Sequence, residues 1–382
     1  MRPQFVRESR LAEFIVVGNC PGHTIAEHRQ RISRSKCAWL TEQSHCSNAP
    51  ITVAVAVGWF SEGPHVIGCT PMYRREFVVS AVSAALLRAQ PEEPRTFVYK
   101  QAAGCEIKAD VFGATSQGRK PAAVWIHGGA LIMGSRKLSA DSRVLRTLLD
   151  VGFTVISIDY RLAPETKLPA IIEDVGDAIG WMRAQAGTLH IDPERFGVCG
   201  GSAGGYLTLM TGFCVKPRPK ALVSFWGYGD IAGAWYSRPD PFYVKQPAVS
   251  SKEALASVGS VPLSEPPEMN VRHRFYLYCR QQGIWPKQVA GHDPAAEDRW
   301  FNGYCPVRNV TREYPPTMLV HGTDDTDVPY EQSKTMAARL RQAGVEEQLV
   351  TVQGGQHGIG NIDSREQDRI YHDAATFLIK RV

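Results

Sequence analysis

The run Arg195-Phe-Gly-Val-Cys-Gly-Gly-Ser202-Ala-Gly-Gly-Tyr-Leu constrains this chain more than any other feature. A short apolar strand enters Gly200-Gly-Ser202-Ala-Gly204, and a helical pattern leaves it from Ala203 to Phe213. Strand, turn and helix must follow within a few residues. The serine therefore sits on a tight, strained turn with its hydroxyl projecting above a sheet. Small neighbours are needed because strand and helix approach closely there. The N–H of Ala203, at the helix start, is placed to receive a negatively charged oxygen. An isolated G-x-S-x-G is often just a flexible loop. Set between strand and helix, it makes Ser202 a candidate nucleophile.

The rest of the chain from about Thr96 fits that strand-to-helix unit. Strands are expected at Thr96–Lys100, Glu106–Phe112, Ala122–Ile126, Thr154–Asp159, Arg195–Cys199, Ala221–Trp226, Thr317–Val320 and Gln348–Val352. Several are continuous apolar runs, as found where helices cover both faces of a sheet. Helical patterns lie between them. One runs from Ser139, its expected N-cap, to Leu149. Another, Leu168 to Ala186, carries Ile171, Ile172, Val175, Ile179 and Met182 near helical spacing. Tyr330 to Ala343 stops at Gly344. Residues 364–380 place Ile370, Ala374, Phe377 and Leu378 on an inner face. Alternation of this kind predicts an α/β fold with a doubly wound, mostly parallel sheet.

Two segments depart from the pattern. Residues 1–94 hold no Asp and many Arg, and their turn signals are sparse. They read as a strand and helix packed on the main domain, as a poorly ordered stretch, or as a leader from an upstream start codon. The main domain is 95–382. Within it, about 228–312 breaks the strand–helix alternation and is rich in Pro and aromatics: Trp235, Tyr236, Phe242, Tyr243, Trp285, Trp300, Phe301 and Tyr304. This reads as a cap-like insertion at the carboxyl edge of the sheet, where open α/β folds bind ligands. Its aromatics line a pocket or form the insertion's own core.

Three further loops carry candidate chemistry. A strand ends in His127-Gly128-Gly129, where glycines let the backbone approach a substrate carbonyl and N–H groups can hold an oxyanion. One such donor is worth roughly 3–4 kcal/mol of barrier. Another strand ends in His321-Gly-Thr-Asp324-Asp325-Thr-Asp327-Val-Pro329, offering three carboxylates. Spacing alone leaves the choice among them open, and Asp327, just before the helix, is the best capping candidate. Finally His357, in Gln353-Gly-Gly-Gln-His357-Gly, follows the last strand. It is a candidate base that takes the serine proton and returns it to the leaving group.

Together these motifs resemble the esterases and lipases of the α/β-hydrolase superfamily, near the hormone-sensitive-lipase-like and acetyl-esterase-like branch. The matching residues are His127-Gly128-Gly129, Asp159-Tyr-Arg161-Leu-Ala-Pro-Glu165, Gly200-x-Ser202-Ala203-Gly204-Gly205, His321-Gly-x-x-Asp325-x-x-Val328-Pro329 and His357. The likeness covers about residues 96–382. Its His321-Gly-x-x-Asp325-x-x-Val328-Pro329 pattern selects Asp325 as the acid over its neighbours, and the order Ser202, Asp325, His357 is the order of that superfamily. It implies an acyl-enzyme at Ser202, with Gly128, Gly129 and Ala203 as the oxyanion hole. Asp159 to Glu165 is implied as structural support, with Arg161 pairing a carboxylate. Two departures, Ala130 for a third glycine and Gly201 for Asp before the serine, are closer to esterases with a G-x-S-A-G-G elbow. That set includes feruloyl- and acetyl-xylan-esterase-like proteins and kynurenine-formamidase-like amidases. A serine carboxylesterase acting on small to medium esters is therefore expected. The alternatives are an amidase or a prolyl-oligopeptidase-like peptidase with the same triad, and a non-catalytic binding protein on the same fold.

Other classes find little support. With 43% apolar and 21% charged residues the chain can bury a core. Its net charge of +5 is spread without a basic run, so no nucleic-acid partner is expected. No apolar run reaches the length of a membrane span. No P-loop, H-E-x-x-H or metal-type Cys/His spacing occurs, so no cofactor or metal is implied. Nine cysteines without a C-x-x-C pair fit scattered thiols in a cytoplasmic protein, with a few disulfides in a secreted one as the alternative. Asn309-Val-Thr311 matches a glycosylation sequon that would matter only after secretion.

Overall fold

A computed structural model describes residues 93–114, 118–266 and 269–382, together with short strands at Glu13–Val17, Gln30–Arg31 and Ala54–Val57. Those three strands form a small antiparallel sheet in a unit, Met1–Ala89, separate from the unit Gln90–Val382. The apolar stretch from Phe77 to Leu87 lies outside the described residues.

The larger unit is built on one eight-stranded sheet. Its strands are β1 (Arg95–Ala102), β2 (Cys105–Phe112), β3 (Lys120–Ile126), β4 (Thr154–Ile158), β5 (Ile191–Gly201), β6 (Leu222–Phe225), β7 (Thr317–Gly322) and β8 (Glu347–Val352). Their spatial order is β8-β7-β6-β5-β3-β4-β2-β1. β3 to β8 run parallel, and the β1–β2 hairpin joins β4 antiparallel. The order reverses between β3 and β5, so the loops after those two strands diverge and leave a crevice at the carboxyl edge.

The continuous apolar strands follow from burial on both faces. Ala122, Val124 and Ile126 of β3 pack on one side, and Ala123 with Trp125 on the other, in the period of two that a pleated strand imposes. The first side is covered by α2 (Leu168–Ala184), α3 (Ala203–Cys214) and α5 (Glu331–Gln342), with α4 (Met269–Gln282) from the insertion. The second is covered by α1 (Arg143–Asp150) and α6 (Ser364–Ile379). Ile171, Val175, Ile179 and Met182 are buried along α2, and Ile370, Ala374, Phe377 and Leu378 along α6, as the spacing predicts.

Two caps differ from the sequence expectation. Helix α1 is capped by Ser142, not Ser139: the Ser139 carbonyl accepts the Ser142 N–H at 2.9 Å in a turn, and Ser142 Oγ then faces the Leu145 N–H. Helix α5 starts at Glu331 with no side-chain cap, so Asp327 does not cap it. Asp327 is drawn elsewhere by stronger donors, described below.

Between β6 and β7 the described residues form short helices and turns around α4, with no strand. Tyr236 stacks between Trp235 and Trp285, at ring separations of 4.0 and 3.9 Å. Trp300 stacks on Tyr304 and packs edge-on against buried Phe301. The insertion is tied to the loop after β3: Trp285 Nε1 donates to the Ala130 carbonyl at 2.9 Å, and Arg272 Nε donates to that of Ile132 at 2.6 Å. No helix among the described residues is long and apolar enough to cross a membrane. Cys105, Cys199, Cys214, Cys279 and Cys305 are free thiols.

Candidate active site

Four loops at the carboxyl ends of β3, β5, β7 and β8 bring together the residues singled out by sequence. Ser202, between β5 and α3, has φ of 56° and ψ of −120°, a conformation that an L-residue adopts only under surrounding constraint. The constraint is visible. The Ser202 N–H donates to the Phe225 carbonyl at 2.9 Å, while the Ser202 carbonyl accepts from Tyr206 in the first turn of α3. Gly204 sits against β3 so closely that a β-carbon there would lie 2.0 Å from the Ile126 carbonyl oxygen. That contact is why the elbow carries glycine two residues after the serine.

Ser202 Oγ lies 3.0 Å from His357 Nε2, and His357 Nδ1 lies 2.7 Å from Asp325 Oδ2. Because a carboxylate only accepts, Nδ1 carries the imidazole proton and Nε2 accepts from the serine hydroxyl. Of the three aspartates in the loop, geometry separates the roles. Asp324 is exposed and accepts from Thr323. Asp325 has a fully buried side chain, and its Oδ1 accepts the N–H groups of Asp327 and Val328 at 2.8 and 2.9 Å. Its Oδ2 also lies 3.2 Å from His321 Nε2. That nitrogen donates to the Val328 carbonyl at 2.9 Å and is therefore protonated, while Ser333 Oγ meets Nδ1 at 2.7 Å.

The charges follow from these bonds. Burial pushes Asp325 up, but hydrogen bonds from His321 and His357 outweigh it and hold the carboxyl well below the usual carboxylate range. Burial pushes His357 down, but the hydrogen bond to Asp325 and the charges of Asp327 and Asp325 win, so the imidazole sits above its ordinary value. A serine hydroxyl bonded to an imidazole, itself bonded to a buried carboxylate, is an arrangement that generates a nucleophile near neutral pH.

The glycine loop after β3 lies directly against the elbow. A β-carbon at Gly128 would be 2.8 Å from the Gly201 carbonyl oxygen and 3.2 Å from Ser202 Cβ. His127 stacks on Tyr160 at 4.2 Å, its Nδ1 donates to the Gly128 carbonyl at 2.7 Å, and Tyr160 Oη donates to the His127 carbonyl at 3.0 Å. Burial lowers His127 to about 4, so it stays neutral. Gly129 has φ of +104°, and its carbonyl accepts from Ile132 and Met133. Ala130, standing where a third glycine was expected, adopts φ of +54°. The carbonyls of residues 127 to 129 are thus committed to internal donors.

A cavity of about 400 Å³ opens beside Ser202, walled by Trp125, Leu138, Val144, Trp226 and Tyr371. None of the eight insertion aromatics lines it; they pack on one another instead. Behind the site, Arg161 pairs with Asp174 at 2.7 Å, and Asp159 with Arg136 at 2.7 Å. Sequence reasoning missed His321, quoted only as part of a motif, and Arg280 altogether. Arg280 was hidden in a helix whose polar residues look like a solvated face; its burial shows only when the insertion is folded.

The fold and this constellation define a protein of the hydrolase class. A family model described as the α/β hydrolase fold matches residues 123–361, and the chain belongs to that family. The resemblance read from the motifs therefore holds. Among curated proteins, the chain is 30% identical over 319 residues to the non-reducing polyketide synthase pkbA of Emericella nidulans, covering 68% of this chain and 13% of that one. It is 29% identical over 318 residues to the polyketide synthase mapC of Penicillium roqueforti, covering 72% and 13%. It is 28% identical over 273 residues to the esterase LipC of Mycobacterium tuberculosis, covering 70% and 61%. The chain thus spans 13% of the length of the synthases it matches. Similar solved structures include a hyperthermophilic esterase from Pyrobaculum calidifontis, with a TM-score of 0.56, 23% identity and coverage of 76% and 83%. Another is a protein from Staphylococcus aureus, with a TM-score of 0.62, 21% identity and coverage of 76% and 99%. These two likenesses concern the fold.

Proposed function

We propose that the protein is a serine hydrolase that cleaves carboxylic esters through an acyl-enzyme. The observation that carries this reading is the unbroken chain from Ser202 Oγ through His357 to Asp325, at 3.0 and 2.7 Å. Ser202 attacks the ester carbonyl as His357 Nε2 takes its proton. The N–H groups of Gly128, Gly129 and Ala203 hold the oxyanion. His357 then protonates the departing alcohol, and a water activated by the same imidazole releases the acid. The cavity walled by Trp125, Trp226 and Tyr371 is of a size to take a small to medium acyl group. The esterases among the similar proteins support an ester substrate, and the intact triad geometry supports catalysis over a binding-only role. The segment 228–312 acts as a cap that limits what reaches Ser202.

The test is hydrolysis of p-nitrophenyl acetate, butyrate and octanoate beside butyryl p-nitroanilide. Turnover of the esters, greatest for the acyl chain that fills the cavity, is the expected result. Faster turnover of the anilide would move the reading to amides, and no turnover of any substrate would overturn it.

The pH profile gives a second check. The base must be neutral to accept the serine proton, and His357 sits above its ordinary value of 6.5. Activity is therefore expected to fall with decreasing pH, with a midpoint above 6.5 in kcat/KM. A midpoint at or below that value would mean that Asp325 and Asp327 do not raise the imidazole.

A further inference from the structure

Asp327 is built into the site in an unusual way. Its Oδ1 accepts three donors: Tyr243 Oη at 2.8 Å, Tyr276 Oη at 2.5 Å and Arg280 Nη1 at 2.9 Å. Its Oδ2 stands 3.5 Å from His357 Nε2. In the resting tautomer that nitrogen presents a lone pair, already accepting from Ser202, so it has no proton to offer Oδ2. One oxygen of the carboxylate is thus saturated, and the other is aimed at the reacting edge of the imidazole.

The surroundings hold this orientation. The Arg280 side chain is 1% exposed and lies over the rings of Tyr236 and Tyr243, at 4.8 and 4.7 Å. Its Nη2 bonds Asp240 Oδ2 at 2.5 Å. Two carboxylates therefore share one guanidinium, and the cluster of Asp240, Asp327 and Arg280 carries a formal charge of −1 (−1 −1 +1).

We propose that Asp327 anchors the alcohol half of the substrate by accepting a hydrogen bond from a hydroxyl or ammonium next to the scissile ester oxygen. This rests on the ester reading above. The leaving oxygen must come within hydrogen-bond reach of Nε2 to collect its proton. A donor on the neighbouring carbon then falls beside an acceptor that is itself 3.5 Å from Nε2. An all-carbon alcohol would instead press apolar surface on a carboxylate oxygen stripped of water, which is unfavourable. Sites built around such an acceptor discriminate strongly against analogues that lack the donor.

The experiment compares kcat/KM for propyl butyrate, 2-hydroxyethyl butyrate and 2-(dimethylamino)ethyl butyrate, all with one acyl group, in the wild type and in Asp327→Asn. The wild type is expected to favour the two donor-bearing esters roughly tenfold or more. In Asp327→Asn the carbonyl oxygen stays with the three donors and the amide N–H₂ faces Nε2, so the preference should collapse toward unity. A preference for the ammonium over the hydroxyl marks charge as the recognised feature; equal preference marks the hydrogen bond. Equal rates for all three esters in the wild type would sink the proposal whether or not the variant folds, as would a preference that survives in the variant. If p-nitrophenyl butyrate is hydrolysed while the three alkyl esters show no selectivity, the anchor fails and the ester reading stands. If no ester is hydrolysed, both fall.

Discussion

Replacing Ser202 by alanine is expected to lower kcat for p-nitrophenyl butyrate by roughly four to six orders of magnitude. The loss is that large because, in the proposed mechanism, the hydroxyl oxygen forms the covalent bond and no neighbour stands in for it. The rate that remains would come from the oxyanion donors and from binding, acting on water instead of serine. The fold should be preserved. Among the described residues Ser202 Oγ bonds only to His357 Nε2, while the strained turn is held by the backbone bonds of Ser202 to Phe225 and Tyr206. The thermal midpoint of Ser202→Ala should therefore stay close to that of the wild type, and labelling by a fluorophosphonate should disappear. Activity that survives within tenfold would mean that another group performs the attack.

How much of this was legible beforehand depended on how local each signal is. The eight strands were readable because β3 to β7 are covered on both faces, which writes them as short apolar runs bounded by turns. β5 was read too short. Asp192-Pro-Glu looks like a turn, yet Ile191 pairs with Lys120 across a register shift, and the strand starts there. The elbow, the His-Gly-Gly loop and His357 were likewise local, each a few residues at a strand end. Asp327 shows the opposite case. In sequence it stands just ahead of a helix and looks like a cap. In the fold it is taken by Tyr243, Tyr276 and Arg280, which lie 84, 51 and 47 positions away. A charge-assisted bond and two phenols outbid a cap worth about 1 kcal/mol, and no short pattern encodes a partner so distant. The insertion aromatics failed to declare themselves for the same reason: whether Tyr236 lines a pocket or stacks on Trp285 is decided by contacts across the insertion.

Asp325→Asn should be the second most damaging change, and the hydrogen bonds around the carboxylate say why a neutral isostere is not conservative here. Oδ1 accepts two backbone N–H groups, from Asp327 and Val328. An asparagine must keep its carbonyl oxygen at that position, since its N–H₂ would meet two donors. The amide nitrogen is then forced toward His357 Nδ1, where it can only donate. Nδ1 must become the acceptor, and the imidazole proton moves to Nε2, the atom that receives the serine proton in the proposed mechanism. The base is thereby blocked by its own tautomer, with the geometry almost unchanged. A loss in kcat of roughly 10⁴-fold is expected. The same amide would also face His321 Nε2, a protonated nitrogen 3.2 Å from Oδ2 in the native protein. Donor against donor in a fully buried spot is expected to cost about 1–3 kcal/mol of stability. Asp325→Asn should therefore lower the thermal midpoint as well as the rate, whereas Ser202→Ala should lower the rate alone. A fully active, equally stable Asp325→Asn protein would show that the carboxylate neither orients His357 nor holds the loop.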